Sequence, residues 1–137
     1  VTHYPDLSGL RVLIAEDNPT NQMVIVGMLK KYNIKPTVAN DGLDALQVMM
    51  TIDSGFDVVF MDCEMPIMDG YTATKKIRQW ELASNHCRML IVALTAHALP
   101  EQAQVCKDNG MDEYMVKPIN LRALEDTLTV ALARLEK

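Results

Sequence analysis

The 137-residue sequence lacks any apolar run close to the ~20 residues that a helical bilayer span requires, and its first residues do not read as a secretory leader. A membrane-inserted or exported chain is therefore not expected. It also lacks an excess of positive charge: 13 Lys and Arg stand against 18 Asp and Glu, for a formal charge of −5. Nucleic acid and anionic membrane both reward a basic face, so neither is expected as a direct partner. Cysteine is scarce. Cys63, Cys87 and Cys106 fall into no Cys-x-x-Cys or metal-ligand spacing, and an unpatterned odd count suits reduced thiols in a cytoplasmic setting. No internal repeat and no low-complexity tract is present.

What is present is an ordinary globular composition, 49% apolar and 23% charged, at a length that suits one compact domain. The ten methionines read as core filler, because the unbranched thioether packs irregular gaps well. Because the sequence starts at Val1 rather than Met, it is expected to be a piece of something longer.

Segments rich in Val, Ile and Leu alternate with amphipathic ones, which predicts βαβ units and a parallel sheet. Strands are expected at residues 11–15, 35–39, 57–61, 89–94 and 113–116. Helices are expected from Asn18 to Tyr32, with Asn18 as N-cap and Pro19 in the first turn, then from Leu43 to Thr51 and from Tyr71 to Leu82. Pro100 opens a fourth helix that Asn109-Gly110 stops as a left-handed C-cap, and Asn120 caps the last one. Residues 1–9, with Pro5, Ser8 and Gly9, read as a linker, leaving 10–137 as the domain.

The polar residues that stand out collect at strand ends. Glu16 and Asp17 end the first strand, Asp62 the third, Thr95 the fourth and Lys117 the fifth. In an open α/β sheet, ligands bind in the crevice beyond the carboxyl ends of the strands, so one crevice is expected to gather all five. Each residue also has a plain reading as a helix cap, a loop acid, a surface lysine or a strand-end hydroxyl. Their joint placement argues against the plain readings. Three carboxylates in one crevice repel by on the order of 4 kcal/mol per pair at ~4 Å and an effective dielectric of about 20. Hard oxygen ligands with that much charge suit Mg²⁺. A carboxylate nucleophile, a metal, a lysine and a hydroxyl together make a site for moving a phosphoryl group onto an aspartate.

Four ordered blocks carry a resemblance to a known family. They are Glu16-Asp-Asn-Pro-Thr-Asn21, Phe56-Asp-Val-Val-Phe-Met-Asp-Cys-Glu-Met-Pro-Ile-Met-Asp-Gly70, Leu94-Thr-Ala-His97 and Tyr114-Met-Val-Lys-Pro118. In these the chain resembles the response regulator receiver domain, and its wording is similar to the receivers of hybrid sensor histidine kinases. The resemblance implies a flavodoxin-like (βα)5 three-layer α/β sandwich with a parallel five-stranded sheet of order 2-1-3-4-5. It implies Asp62 as phosphoacceptor. Asp17 is then a direct Mg²⁺ ligand, Glu16 a ligand through water, and the backbone carbonyl of Glu64 completes the protein's share. Lys117 pairs with phosphoryl oxygens and precedes a cis bond to Pro118. Thr95 and Tyr114 form the switch, the threonine moving toward the phosphoryl group and the tyrosine swinging in behind it. Glu64 and His97 occupy positions that influence phosphoryl lifetime. The implied donor is a histidine kinase or a histidine-phosphotransfer domain.

An aspartyl-phosphate hydrolase of the haloacid dehalogenase type shares the aspartate, lysine and threonine. Its nucleophile normally ends the first strand in an Asp-x-Asp pair, whereas Asp62 ends the third and precedes Cys63-Glu64. A degenerate receiver that serves only for docking is the other alternative, and the complete set Asp17, Asp62, Thr95 and Lys117 argues against it. Within the first helix, Val24, Ile25, Met28, Leu29 and Tyr32 follow helical spacing and are expected to pack on the sheet. Met23, Val26 and Gly27 lie off that stripe in a stretch without charge, and read as a small apolar docking patch beside the Asp62 crevice.

Overall fold

A strand whose residues are all apolar must be covered on both faces. The computed structural model, which describes residues 6–51, 55–97 and 99–135, meets that need with helices on each side of one sheet. The elements run β1 (Val12–Ala15), α1 (Pro19–Lys30), β2 (Thr37–Ala39), α2 (Gly42–Thr51), β3 (Val58–Asp62), α3 (Gly70–Ala83), β4 (Leu90–Thr95), α4 (Pro100–Asp108), β5 (Glu113–Val116) and α5 (Leu121–Leu135). All strand pairs are parallel, in the order β2-β1-β3-β4-β5. This is the flavodoxin-like order that the resemblance implied.

Side chains alternate across a strand, and the core divides accordingly. Val12, Ile14, Val58, Phe60, Val92 and Leu94 face one side, against Ile25 and Leu29 of α1 and Leu124 and Leu128 of α5. Leu13, Ala15, Val59, Met61, Ile91 and Ala93 face the other, against Ala45 and Met49 of α2 and Ala73 and Ile77 of α3. Each fully buried Leu, Ile or Met contributes about 1.5–3 kcal/mol relative to exposure. The three inner strands β1, β3 and β4 are buried along their whole length, so the strand ends stand on a rigid platform.

The caps follow the local chemistry of the sequence. The Asn18 side chain accepts from the backbone N–H groups of Thr20 and Asn21 at 2.9 and 3.1 Å, and Asn120 accepts from that of Ala123 at 2.7 Å. Gly110 takes φ +96° after α4, while Asn109 keeps φ −96°, so the left-handed residue of that pair is the glycine. Strand β2 starts at Thr37 rather than residue 35, because Pro36 has no N–H to give a ladder.

Two sequence expectations need correction. The segment read as a linker at residues 1–9 joins the core at Leu7, which is 1% exposed and packs with Leu10 in the cluster under α1 and α5. Residues 1–5 of that segment lie outside the described residues. The buried stripe of α1 is also turned by about 40° from the one expected, at 100° per residue. Ile25, Leu29 and Tyr32 are buried, but Val24 is 45% exposed, while Val26 and Met28 pack against the core. The sequence pattern underestimated Val26 because α1 carries apolar residues nearly all round, so its own periodicity does not fix its rotation.

Close approach fixes two glycines beside the strand ends. A Cβ on Gly70 would overlap the carbonyl oxygen of Asp62, and one on Gly42 would overlap that of Met68. Gly27, by contrast, sits in α1 with nothing within 4 Å of where a Cβ would be. Gly70→Ala should therefore lower stability by roughly 2 kcal/mol or more in a urea titration. Gly27→Ala should raise it by about 0.5–1 kcal/mol, the helix-propensity gain.

Candidate functional site

The carboxyl ends of β1, β3, β4 and β5 open into one cleft of about 210 Å³, lined by Glu16, Asp17, Asn21, Asp62, Thr95 and Lys117 among others. It lies where chain order reverses about β1 and β3, the place at which open α/β sheets leave a crevice. All five residues singled out at strand ends thus meet in one place. Backbone bonds hold their supports: the Glu16 N–H bonds to Ala39 O at 3.1 Å, that of Cys63 to Leu94 O at 3.1 Å and that of Lys117 to Thr95 O at 2.7 Å.

Glu16, Asp17 and Asp62 each offer a carboxylate oxygen, and these oxygens lie within 4.8 Å of one another. Glu16 and Asp62 are buried, whereas Asp17 is exposed at the mouth. The Lys117 ammonium bridges the inner two, 2.9 Å from Glu16 Oε1 and 3.1 Å from Asp62 Oδ1. One lysine against three acids leaves the cleft short of positive charge. An all-oxygen donor set of this density fits a hard divalent cation such as Mg²⁺ better than a thiophilic metal.

The same crowding sets the proton affinities. Burial, reinforced by the neighbouring Glu16, pushes the Asp62 carboxyl up to about 7, and Lys117 offsets only part of that rise. Burial pushes Glu16 upward too, but its hydrogen bond with Asp62 and the Lys117 ammonium outweigh it and hold Glu16 below the usual range. Burial opposes the charge on Lys117, yet the two carboxylates raise its proton affinity above the ordinary value. In the metal-free cleft, Asp62 is therefore the acid that keeps a proton.

Thr95 is 2% exposed, and its Oγ1 accepts the His97 N–H at 3.1 Å. Tyr114, in the edge strand β5, is 41% exposed. The Lys117–Pro118 bond is cis, as the resemblance implied. The Glu64 side chain points away from the acids, 3.7 Å from His97 Nε2, while its N–H reaches Asp62 Oδ1 at 3.3 Å. The Gly70 N–H bonds to Cys63 O at 3.1 Å, folding the loop after Asp62 back on itself. Gln22 ties α1 to the cleft by donating to the Glu16 carbonyl and the Asn40 side chain. Gln22 was not singled out by sequence; nothing in its local pattern distinguishes it from any solvent-facing helix residue.

The expected docking patch on α1 is partly reassigned. Met23 is 74% exposed and Gly27 is open, but Val26 packs inward and gives up its place to Val24. Val24 also lines a small hollow of about 90 Å³ with Asn21, Lys117, Pro118 and Ile119. The apolar face is thereby continuous with the cleft.

The family model for the response regulator receiver domain matches residues 12–129. The chain belongs to that family. Receiver domains are the phosphoryl-accepting modules of two-component phosphorelays, and this is such a module. It is 44% identical over 118 residues to hybrid signal transduction histidine kinase A of Dictyostelium discoideum, an alignment covering 86% of this chain and 5% of that protein. The receiver domain thus spans a small fraction of that relative's length. Among solved structures, it is similar to a co-crystal of the Saccharomyces cerevisiae histidine phosphotransfer protein Ypd1 with the receiver domain of its downstream response regulator Ssk1. That match has a TM-score of 0.84 at 30% identity, covering 93% of this chain and 90% of the other. It is also similar to the receiver domain of sensor histidine kinase PA1611 from Pseudomonas aeruginosa, solved with a magnesium ion in its active-site cleft. There the TM-score is 0.79 at 35% identity, over 90% of this chain and 98% of that one. No helix among the described residues is long and apolar enough to cross a membrane.

The proton held by Asp62 has a measurable consequence. Its folded value of about 7 lies above the reference of 3.8, so the native receiver binds more protons than the unfolded chain between those limits. Its stabilising contribution is complete at acid pH and is lost as pH rises toward 7. With metal chelated, wild-type stability should fall by on the order of 2 kcal/mol between about pH 5 and 8. Asp62→Asn should remove most of that fall, as read by denaturant unfolding at the two pH values.

Proposed function

We propose that Asp62 accepts a phosphoryl group from a phospho-histidine donor, and that Mg²⁺ held by the acidic cluster is needed for it. The observation that carries this reading is the mutual approach of the Glu16, Asp17 and Asp62 oxygens within 4.8 Å, with the Lys117 ammonium 3.1 Å from Asp62. Asp17 and Asp62 would hold the ion directly, Glu16 through water, and the Glu64 carbonyl would add a neutral ligand. The ion would supply positive charge to the acids and to the incoming phosphoryl oxygens, keeping Asp62 ionised at neutral pH. An Asp62 Oδ attacks phosphorus, a P–O bond forms as the P–N bond to the donor imidazole breaks, and the released nitrogen keeps the electron pair. Lys117 is close enough to exchange its bond with Asp62 for one with a phosphoryl oxygen.

The acyl phosphate adds about −1.5 to −2 charge beside Thr95 and Lys117. The Thr95 hydroxyl, now bonded to the His97 N–H, is the donor within reach of that charge. Its displacement would open space for the part-exposed Tyr114 to turn in, giving the two states different contacts. Phosphotransfer from a phospho-histidine protein, or from acetyl phosphate, should label the wild type and spare Asp62→Asn. Asp17→Ala should weaken the Mg²⁺ requirement's midpoint more than Glu16→Gln in a metal titration of labelling. Labelling of Asp62→Asn at the wild-type level would remove Asp62 from this role.

The partner is read as a histidine kinase or histidine-phosphotransfer domain that lays a helix on α1. The complex of the Ssk1 receiver with a histidine phosphotransfer protein supports a donor of the same kind here. Met23, Val24 and Gly27 supply an uncharged, apolar face, and Gly27 allows a second helix close approach. Similarity to hybrid histidine kinases supports a hybrid kinase as the parent protein and the cytoplasm as the domain's compartment. Met23→Lys should slow transfer from the protein donor roughly tenfold, equivalent to about 1.4 kcal/mol. Labelling by acetyl phosphate and the thermal midpoint should stay unchanged; equal slowing with both donors would remove the patch from docking.

A further inference from the structure

A second hollow lies away from Asp62, at the opposite end of the sheet. A cavity of about 370 Å³ opens between the residues that precede β1, β3 and β4 and the last turn of α5. Its volume falls in the range of roughly 300–1,000 Å³ usual for small-molecule sites. Phe56, Met89, Ala131 and Leu135 give it an apolar floor, and the guanidinium groups of Arg88 and Arg134 stand at its rim.

Among the described residues, the carboxylates around this cavity are already engaged. Asp57 is engaged by Arg11, through the backbone N–H at 2.8 Å and Nη2 at 3.0 Å. Asp112 is shared, with Arg78 at 2.7 Å on one oxygen and Arg88 at 2.9 Å on the other, and it also accepts the Ile91 N–H. Glu81 accepts from Arg78 at 2.8 Å and from the Met89 N–H at 2.7 Å. Each nearby carboxylate is thus already taken. Arg134 has no carboxylate partner among the described residues, and its Nη2 has only a 3.5 Å bond to the Arg88 carbonyl. In a chain of formal charge −5, Arg134 thus places beside this apolar lining a guanidinium with no carboxylate partner among the described residues. His86 also lines the cavity, with its Nδ1 2.7 Å from the Cys87 carbonyl oxygen and its ring beside Trp80.

We propose that this cavity is a second ligand site, separate from the phosphoacceptor cleft, for a small organic anion with an apolar body and a carboxylate or phosphate-monoester head. The planar fork of Arg134 pairs two oxygens of the head at once, as guanidinium groups do with both chemistries. The remaining N–H groups of Arg88 lie at the same rim, and the body of the ligand covers Phe56 and Met89. No covalent step is involved, and the site does not depend on the phosphorylation chemistry of Asp62.

The test is an NMR titration of the receiver domain, with metal chelated, using phenyl phosphate, benzoate and the neutral benzyl alcohol. Saturable amide shifts are expected at Arg88, Met89 and Ala131 to Leu135 with at least one anion, and the tighter of the two names the head group. Arg134→Gln, an exposed change that leaves the core intact, should weaken that anion roughly fivefold or more, about 1 kcal/mol. Cys87 gives an independent readout, since it lines the cavity and is exposed while Cys63 and Cys106 are buried. The bound anion should slow its reaction with a neutral maleimide, and should not do so in Arg134→Gln. Shifts confined to the Asp62 cleft, equal shifts from benzyl alcohol, no saturable shift from either anion, or undiminished affinity in Arg134→Gln each overturn the site.

Discussion

Repulsion among Glu16, Asp17 and Asp62 is the constraint on which the rest of this receiver depends. Their oxygens lie within 4.8 Å of one another with one ammonium among them. Such an arrangement costs stability, and the fold tolerates it because the sheet beneath is buried on both faces. The crowding also sets proton affinity: burial and the neighbouring Glu16 push the Asp62 carboxyl up to about 7, so any cation entering the cleft competes with that proton. A neutral, relaxed cleft would be more stable and chemically idle.

The platform explains why so few residues suffice. β1, β3 and β4 lie side by side in register, so residues immediately after them must converge. Gly70 and Gly42 let the loops beyond those strands close over backbone carbonyls where no side chain fits. Lys117 is placed from β5 by the bond of its N–H to Thr95 O, and reaches back across β4 and β3 to Glu16. Thr95 and Tyr114 differ in exposure, Thr95 being buried in the cleft and Tyr114 outside its lining. Among the described residues, the carboxyl ends of the sheet gather three acids around one lysine, whereas at the amino ends Asp57, Glu81 and Asp112 are each paired with an arginine.

Most of the fold was legible because its signals are local. Pro19, Pro100, Asn18, Asn120 and Gly110 mark helix ends by chemistry that operates within a few residues, and the apolar strands announce burial on both faces. The candidate site was legible for a related reason: parallel topology brings strand ends together, so acids and a lysine at those ends had to meet. What local signals do not carry is rotation and reach. Helix α1 is apolar nearly all round, and only its contacts with the sheet decided that Val26 goes in and Val24 stays out. Leu7 looked like part of a polar linker, since a lone apolar residue between Asp6 and Ser8 has no periodicity to announce its burial.

The sequence by itself determined the element order, the parallel sheet and the identity of the groups in the cleft, because hydrophobic period and strand-end position are properties of consecutive residues. Only the tertiary structure decided which acid keeps its proton, since that follows from the burial of Asp62 and its distances to Glu16 and Lys117, residues far apart in the chain. The same holds for the basic cavity at the far end. Arg11, Arg78, Arg88 and Arg134 are unremarkable one at a time, and which of them pairs with a carboxylate among the described residues depends on how Asp57, Glu81 and Asp112 are shared in space. Electrostatic energy depends on separation through space and on exclusion of water, and neither quantity exists until the chain has folded.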